Sequence, residues 1–359
     1  MTVRTRAVLG ELPSYRPGRT PERVARERGV AAPVKLSSNE TVFDPLPGVA
    51  EAMAAAVTSP NRYPDFHATA LREAVAQTYG VEPEQVVTGC GSVALCRNVV
   101  EATAEPGGEV IVPTPSFDVY GSAARIAGAT PVRVPLREHA LDLDAMAAAV
   151  TDDTQAIFVC TPNNPTSTAV ARAELERFLD RVPATVPVVL DEAYHHFVTD
   201  PSGVDGMRLL ARRPNLVVLR TFSKAYGLAG LRVGFGVAAP ELAAALRKVT
   251  LPFSVSSVGG AAAVASLQPA AATAMAARVA RVVAERERVS KELAGLGYEV
   301  PASQANFVWL PIGERSADFG AESERRGVIV RSFAGAGVRV TIGAPEENDA
   351  FLRIAAELA

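Results

Sequence analysis

The chain has 359 residues, which is longer than one hydrophobic core usually supports, so two domains are expected. Its 36 basic and 39 acidic residues are interspersed and leave a formal net charge of −3, which gives no electrostatic footprint for nucleic acid. Three cysteines and four histidines at irregular spacing argue against a disulfide framework and against a metal site.

Cys90, Cys96 and Cys160 are each expected to be small buried residues. The amino-terminal residues are charged and lack the apolar core of a signal peptide. The alanine-rich stretch from Pro269 to Ala284 is interrupted by arginines, so no apolar run reaches membrane-spanning length. We therefore expect a cytoplasmic protein with neither a membrane nor a nucleic-acid partner.

The middle of the chain alternates short β-rich runs with helical patterns, which is typical of an α/β fold with a parallel sheet of βαβ units. Helices are predicted at Ser92–Ala104 and Arg172–Val182, among others. The predicted strands of this sheet are Glu109–Pro113, Pro131–Pro135, Gln155–Cys160, Pro187–Asp191, Asn215–Leu219 and Val233–Val237.

The pattern changes near residue 240. A long helix from Pro269 to Leu296 carries apolar residues at helical spacing and is predicted to cross between domains. Beyond it, a smaller α+β domain is predicted from three strands and two helices: Phe307–Leu310, Ser316–Arg326, Val328–Val330, Val338–Ile342 and Glu346–Leu358. The predicted division is a segment 1–48 packing with the small domain, a large domain 49–250 and a small domain 251–359.

A glycine-rich turn opens the first of these helices. The sequence Thr88-Gly-Cys-Gly-Ser92 precedes the helix, so the backbone N–H groups of Gly91, Ser92 and Val93 are expected to point at an anion. A glycine-rich turn by itself is weak evidence for an anion site, because many such turns only connect a strand to a helix.

Polar residues follow two of the predicted strands, where an open parallel sheet binds its ligands. The prolines of Thr161-Pro-Asn-Asn-Pro-Thr-Ser167 stiffen a turn that presents Asn164. Asp191 ends a buried apolar strand, which is costly unless the carboxylate meets a cation. A helix cap or an internal salt bridge is the alternative explanation for Asp191.

One lysine lies in a hydroxyl-rich turn after a strand-like run, in Leu219-Arg-Thr-Phe-Ser-Lys-Ala-Tyr-Gly-Leu-Ala-Gly-Leu-Arg-Val-Gly-Phe235. Thr221, Ser223 and Arg232 can together hold a phosphate. Lys224, if partly desolvated, has the lowered pKa that an amine needs to condense with an aldehyde. Pyridoxal 5′-phosphate carries both an aldehyde and a phosphate. The alternative is a solvated loop lysine.

Residues 223–235 resemble the lysine motif of fold-type I, class-II pyridoxal-phosphate-dependent aminotransferases, within the histidinol-phosphate subfamily and nearest its aromatic aminotransferases. The resemblance runs from about Lys35 to Leu352. It implies a large domain with a mostly parallel sheet, a small α+β domain and a homodimer. It also implies that Lys224 is the catalytic amine, that Asp191 holds the pyridine nitrogen, and that Asn164 and Tyr194 bind the ring oxygen.

Four further residues match the motifs of this family. The resemblance implies that Phe117 stacks on the cofactor ring and that Tyr63 reaches the phosphate of the neighbouring subunit. It implies that Asn39 lies near the substrate and that Arg339 binds the substrate carboxylate. Ordinary core packing, a surface turn and a structural ion pair are the alternatives for Phe117, Tyr63 and Arg339. One departure is Ser167, where the family usually has glycine.

Two segments bear on the substrate. The opening Asn39–Pro45 and the loop between Arg331 and Arg339 depart from histidinol-phosphate enzymes and look like aromatic aminotransferases. The expected reaction moves the amino group of phenylalanine, tyrosine or tryptophan to 2-oxoglutarate. Arg331 keeps histidinol phosphate as an alternative substrate, and a non-catalytic homologue is a second alternative. Three aromatic residues are expected to line the substrate side-chain pocket: Tyr15, Phe43 and Phe333.

Overall fold

The computed structural model describes residues 3–12 and 18–359. Their strands are β1 (Val34–Lys35), β2 (Val86–Cys90), β3 (Glu109–Thr114), β4 (Thr130–Pro135), β5 (Thr154–Cys160), β6 (Val188–Asp191), β7 (Leu216–Thr221), β8 (Val233–Val237), β9 (Phe307–Leu310), β10 (Val328–Ile329), β11 (Arg331–Phe333) and β12 (Gly337–Thr341). Their α-helices are α1 (Val8–Glu11), α2 (Pro21–Arg28), α3 (Val49–Ala56), α4 (Thr69–Tyr79), α5 (Gly91–Thr103), α6 (Val119–Ala127), α7 (Leu143–Ala148), α8 (Arg172–Arg181), α9 (Pro240–Val249), α10 (Ser257–Ser266), α11 (Pro269–Gly295), α12 (Ser316–Arg325) and α13 (Pro345–Glu357).

A seven-stranded sheet forms the centre of the large unit, with strand order β2-β8-β7-β6-β5-β3-β4. The pairs from β4 through β7 are parallel, whereas β8 runs antiparallel to both of its neighbours. The α/β prediction with a mostly parallel sheet is confirmed. Each predicted strand of this sheet lies within two residues of an observed one at both ends.

The central strands are apolar because helices cover both faces of the sheet. Along β6, Val188 and Leu190 join the core that contains residues of α3, α4, α8 and α10. Val189 joins the opposite core, with residues of α5, α6 and α9. This alternation of successive side chains sends Asp191, at the end of the strand, toward the α5 and α6 side.

The smaller unit contains a three-stranded antiparallel sheet, in the order β11-β12-β9, and the parallel pair β1–β10. Together with α11, α12 and α13 these strands enclose a separate core. The predicted domain limits stay a prediction. The packing favours a later limit than residue 250, since Ala262, Ala263 and Ala271 lie in a core of the large sheet. None of the described helices has the length and apolar character needed to cross a bilayer.

A buried ion pair lies beside the end of β6. The Arg220 guanidinium donates to Glu192 Oε2 from Nε (2.9 Å) and from Nη2 (2.7 Å), and Nη2 also contacts Asp205 Oδ1 at 2.8 Å. The side chains of Glu192 and Arg220 are 0% and 4% exposed. Glu192, His195 and Asp205 are close enough to share a metal ion, but the Arg220 guanidinium already bonds to both carboxylates.

Glu192→Ala is expected to lower the free energy of unfolding by about 3 kcal/mol or more, because it leaves a buried guanidinium without its main counter-ion. Urea unfolding followed by circular dichroism measures the change. The control is Asp180→Ala, which breaks the ion pair with Arg213 where Asp180 is 65% exposed, and about 1 kcal/mol or less is expected. Equal losses in the two variants would contradict the importance of the buried pair.

Candidate active site

A cavity of about 350 Å³ opens where β3, β5, β6 and β7 end and β8 begins. This volume is in the range of small-molecule sites. Gly91 and Tyr63 lie outside its lining, and Tyr15 lies outside the described residues. The other thirteen predicted site residues line it: Asn39, Ser92, Val93, Phe117, Asn164, Asp191, Tyr194, Thr221, Ser223, Lys224, Arg232, Arg331 and Arg339.

Hydrogen-bond donors for an anion converge at one end of the cavity. Arg232 Nη1 donates to Ser223 Oγ at 3.3 Å, and Thr221 Oγ1 lies 2.9 Å from the same hydroxyl. The N-terminus of α5 points here, and no side chain caps it. An uncapped helix N-terminus with a guanidinium and two hydroxyls provides the charge and the donors that a phosphate dianion requires.

Two glycines let these donors approach one another. A Cβ atom at Gly91, where φ is +72°, would lie 2.5 Å from Arg232 Nη2. A Cβ atom at Gly234 would lie 2.4 Å from the backbone nitrogen of Ser92. Any larger residue at either position would therefore displace a donor of the cradle. Gly91 therefore lies against the Arg232 guanidinium although it does not line the cavity.

Lys224 reaches the centre of the cavity just beyond β7. Its Nζ donates to the carbonyl oxygens of Ser38 at 3.2 Å and Asn39 at 3.1 Å. Burial, and then the nearby Arg339 guanidinium, lower the pKa of the Lys224 amine to about 7. A substantial fraction of the amine is therefore neutral near neutral pH, so it is available as a nucleophile or a base.

Asn39 connects this lysine to the polar groups around it. Its amide nitrogen donates to Tyr194 Oη at 3.0 Å, and its backbone N–H donates to Thr341 Oγ1 at 2.9 Å. Burial raises the pKa of the Tyr194 phenol to about 12, so the hydroxyl stays protonated. Since that oxygen accepts from Asn39, its own proton remains to be donated into the cavity.

Asp191 is a buried carboxylate, 3% exposed. Its described donors are the Tyr120 hydroxyl (2.7 Å), the Ala193 N–H (3.2 Å) and the Cys96 thiol (3.9 Å). None of these donors is a cation. Burial raises the pKa of Asp191, which a bound cation would reverse. Neither a salt bridge nor a helix cap explains Asp191 among the described residues.

The two arginines of the small sheet face each other. Arg331 and Arg339 are paired residues on β11 and β12, so the predicted loop between them is a β-hairpin. Arg339 Nη1 donates to Asn164 Oδ1, and Nη2 donates to the Ser37 carbonyl at 2.6 Å. Two guanidinium groups at paired positions concentrate positive charge at this end of the cavity. This end of the cavity is therefore suited to a carboxylate.

Four aromatic residues singled out in the sequence lie in different places. Phe117 is half-buried on the cavity wall, and Phe333 lines the cavity beside Arg339. Phe43 was wrongly predicted to line it, because two guanidinium groups of α11 cover its ring, at 5.0 and 5.5 Å from the ring centre. Tyr63 is 83% exposed and stacks on Phe253, with ring centres 4.6 Å apart.

The departure at Ser167 has a structural explanation. Ser167 is fully buried with φ of +65°, a left-handed conformation that favours glycine. Its hydroxyl donates to the Thr166 carbonyl at 2.6 Å, and its own carbonyl accepts from Gln304 N–H at 2.8 Å. These bonds hold a strained residue in the turn that presents Asn164.

Sequence reasoning did not identify Tyr120 or Thr341. Tyr120 lines the cavity and contacts Asp191. It lies in the same sequence segment as Phe117, which the sequence analysis did single out. Thr341 ends β12, and only the fold brings it to Asn39. The expectation for Cys90 was wrong, since this residue is exposed next to the glycine turn, whereas Cys96 and Cys160 are buried.

Comparison with known proteins identifies the family. The family described as aminotransferase class I and II matches residues 31–356. An aromatic amino acid aminotransferase of Rhodococcus jostii (strain RHA1) is 53% identical over 356 residues, covering 99% of this chain and 96% of the relative. An aromatic amino acid aminotransferase of Thermobifida fusca (strain YX) is also 53% identical, over 350 residues, covering 98% of this chain and 96% of the relative.

A solved structure agrees over the whole chain. Histidinol-phosphate aminotransferase from Sinorhizobium meliloti, solved in complex with pyridoxal 5′-phosphate, superposes with a TM-score of 0.89 at 26% identity. The match covers 100% of this chain and 99% of that one, which confirms the fold-type I prediction. The chain therefore belongs to the class I and II aminotransferases, as its lysine motif predicted.

Proposed function

We propose that the protein is a pyridoxal-phosphate-dependent aromatic amino acid aminotransferase. It moves the amino group of phenylalanine, tyrosine or tryptophan to 2-oxoglutarate, giving aromatic oxo acids and glutamate. One observation carries the proposal: the Lys224 amine lies in a single cavity with the anion cradle, the buried Asp191 and Arg339. The names of the relatives at 53% identity support aromatic substrates.

The cavity fits the cofactor group by group. The α5 N-terminus, Ser223 and Arg232 would hold its phosphate, and Asp191 would meet the ring nitrogen. Asn164 and Tyr194 would bind the ring oxygen, and Phe117 would pack on the ring. Bound pyridoxal phosphate supplies an electrophilic carbon for the amine and a ring that withdraws electrons from the substrate Cα.

Lys224 provides the proton transfer. Its neutral Nζ would remove the Cα proton of the amino acid, and the protonated amine would later give that proton back. A pKa of about 7 makes both directions accessible at the same pH. The carbonyl oxygens of Ser38 and Asn39 hold the amine in place between the two transfers.

Arg339 determines how the amino acid is oriented. Its guanidinium is held by Asn164 and the Ser37 carbonyl, and it would bind the substrate α-carboxylate. A clamped carboxylate disfavours decarboxylation and so favours removal of the Cα proton. Phe333, beside the guanidinium, provides an apolar surface for an aromatic side chain.

Lys224→Ala is expected to abolish transamination while leaving some cofactor binding, because the phosphate and ring contacts do not involve this side chain. Activity is measured with phenylalanine and 2-oxoglutarate, and cofactor content by absorbance. The matched control is Lys291→Ala, which removes an exposed lysine of α11 and should keep full activity. Turnover of Lys224→Ala within about tenfold of the parent would sink the assignment, since general-base catalysis alone contributes more than that.

A second candidate is histidinol-phosphate aminotransferase, favoured by the Arg331 side chain, which lines the cavity opposite Arg339. Two guanidinium groups at paired positions could read a phosphate ester. The solved relative from Sinorhizobium meliloti bears that name, at 26% identity. The higher identity of the aromatic enzymes and the position of Phe333 favour the first candidate.

The kcat/KM for phenylalanine is expected to exceed that for histidinol phosphate by about tenfold or more. The segment between Arg331 and Arg339 contains no further cation for the phosphate of histidinol phosphate, and one charge-assisted bond fewer costs roughly 1.5–3 kcal/mol. Steady-state kinetics with both donors and 2-oxoglutarate provide the comparison. The reverse order, lost on Arg331→Ala, would show that Arg331 recognises a phosphate and would promote the second candidate.

The protein is also proposed to be a homodimer with shared sites. Tyr63, Phe66 and Phe253 form an exposed aromatic cluster beside an apolar groove of about 670 Å³ between α3, α4 and α10. An exposed apolar surface of this kind supports a contact with a second copy of the chain. Tyr63 would then reach the cofactor phosphate of the other subunit.

Mixing Lys224→Ala chains with Tyr63→Ala chains is expected to restore activity, because each heterodimer holds one site with both residues intact. The control mixes Lys224→Ala with Asp191→Ala chains. Both of these residues belong to the same subunit's site, so no heterodimer has an intact one. With subunit exchange verified by differently tagged chains, recovery no greater than in the control would remove Tyr63 from the partner's site.

A further inference from the structure

The shortest hydrogen bond to Asp191 among the described residues comes from Tyr120. The Tyr120 hydroxyl lies 2.7 Å from Oδ2, and the side chain is only 1% exposed. The opposite oxygen, Oδ1, accepts from the Ala193 N–H at 3.2 Å. The Cys96 thiol is more distant, 3.9 Å from Oδ2. The negative charge of this buried carboxylate therefore depends on neutral donors, of which the phenol is the strongest.

The Tyr120 ring is fixed by its neighbours. It stacks on Phe158 of β5, with ring centres 4.4 Å apart and an angle of 16° between the planes. The ring of Phe117 meets it edge-on at 5.6 Å. Burial also raises the pKa of the phenol well above its usual range, so the hydroxyl keeps its proton. The donor can therefore neither turn away nor ionise while the core is intact.

We infer that Tyr120 is a positioning residue that keeps Asp191 ionised and oriented toward the cationic ring nitrogen of the cofactor. This inference rests on the proposed function. A carboxylate without hydration favours its neutral acid form, and each hydrogen bond to the charged form opposes that preference. Without the phenol, the ring cation would lose part of its counter-ion. Tyr120 thereby links Asp191, which would meet the ring nitrogen, to Phe117, which would pack on the ring.

Tyr120→Phe removes the hydroxyl and keeps both aromatic contacts. The apoproteins are titrated calorimetrically with pyridoxal phosphate and with its 1-deaza analogue, which has a carbon in place of the ring nitrogen. The Kd for pyridoxal phosphate is expected to rise about tenfold or more, as for a lost hydrogen bond to a charged group. The Kd for the deaza analogue should stay unchanged, because it offers Asp191 no cation.

Two controls separate this role from simple structural support. Tyr298→Phe removes a buried hydroxyl that donates to the Ala355 carbonyl at 2.9 Å in the small unit, and it should alter neither Kd. In an Asp191→Asn background, Tyr120→Phe should add no further loss. Equal weakening of both ligands, or no weakening of pyridoxal phosphate binding, would overturn the inference. Failure of the wild-type apoprotein to bind pyridoxal phosphate would instead contradict the proposed function, and the inference with it.

Discussion

The site depends on one geometric constraint: neighbouring parallel strands that stay in register end at the same edge of their sheet. Cys160 pairs with Asp191, and Asp191 pairs with Leu219, so the chain leaves β5, β6 and β7 at nearly the same level. Asn164 follows β5, Asp191 ends β6 and Lys224 follows β7. Three segments distant in sequence therefore bring one amide, one carboxylate and one amine into the same cavity.

The two ionisable groups at the centre of the cavity, Lys224 and Asp191, are held by neutral hydrogen-bond partners. The Lys224 amine is held by two carbonyl oxygens, and Asp191 is held by a phenol, a thiol and a backbone N–H. Burial drives both groups toward neutrality, which lowers the pKa of the lysine and raises that of the aspartate. The charged forms of both groups are thus destabilised by burial. A ligand that carries an aldehyde and a cationic ring would relieve both.

The sequence predicted six of the seven strands of the large sheet, because buried β-branched runs between turns are typical of strands, but it did not predict β2. It did not predict α10, whose glycines and alanines are small or apolar on every face and show no helical periodicity. The Arg331 to Arg339 segment looked like a loop because β11 is only three residues long. Phe43 was misplaced and Tyr120 overlooked for the same reason: which side chain faces a cavity depends on how distant helices pack.

The anion cradle at the start of α5 has a practical consequence. Its donors are held in place by the close approach that Gly91 and Gly234 permit, so the cradle is built by the packing of the protein itself. A preformed cradle does not distinguish a phosphate ester from inorganic phosphate or sulfate, because its contacts reach only the oxygens. Buffers that contain these ions should therefore compete with pyridoxal phosphate when the holoenzyme is reconstituted. Purification in a chloride or acetate buffer would avoid that competition.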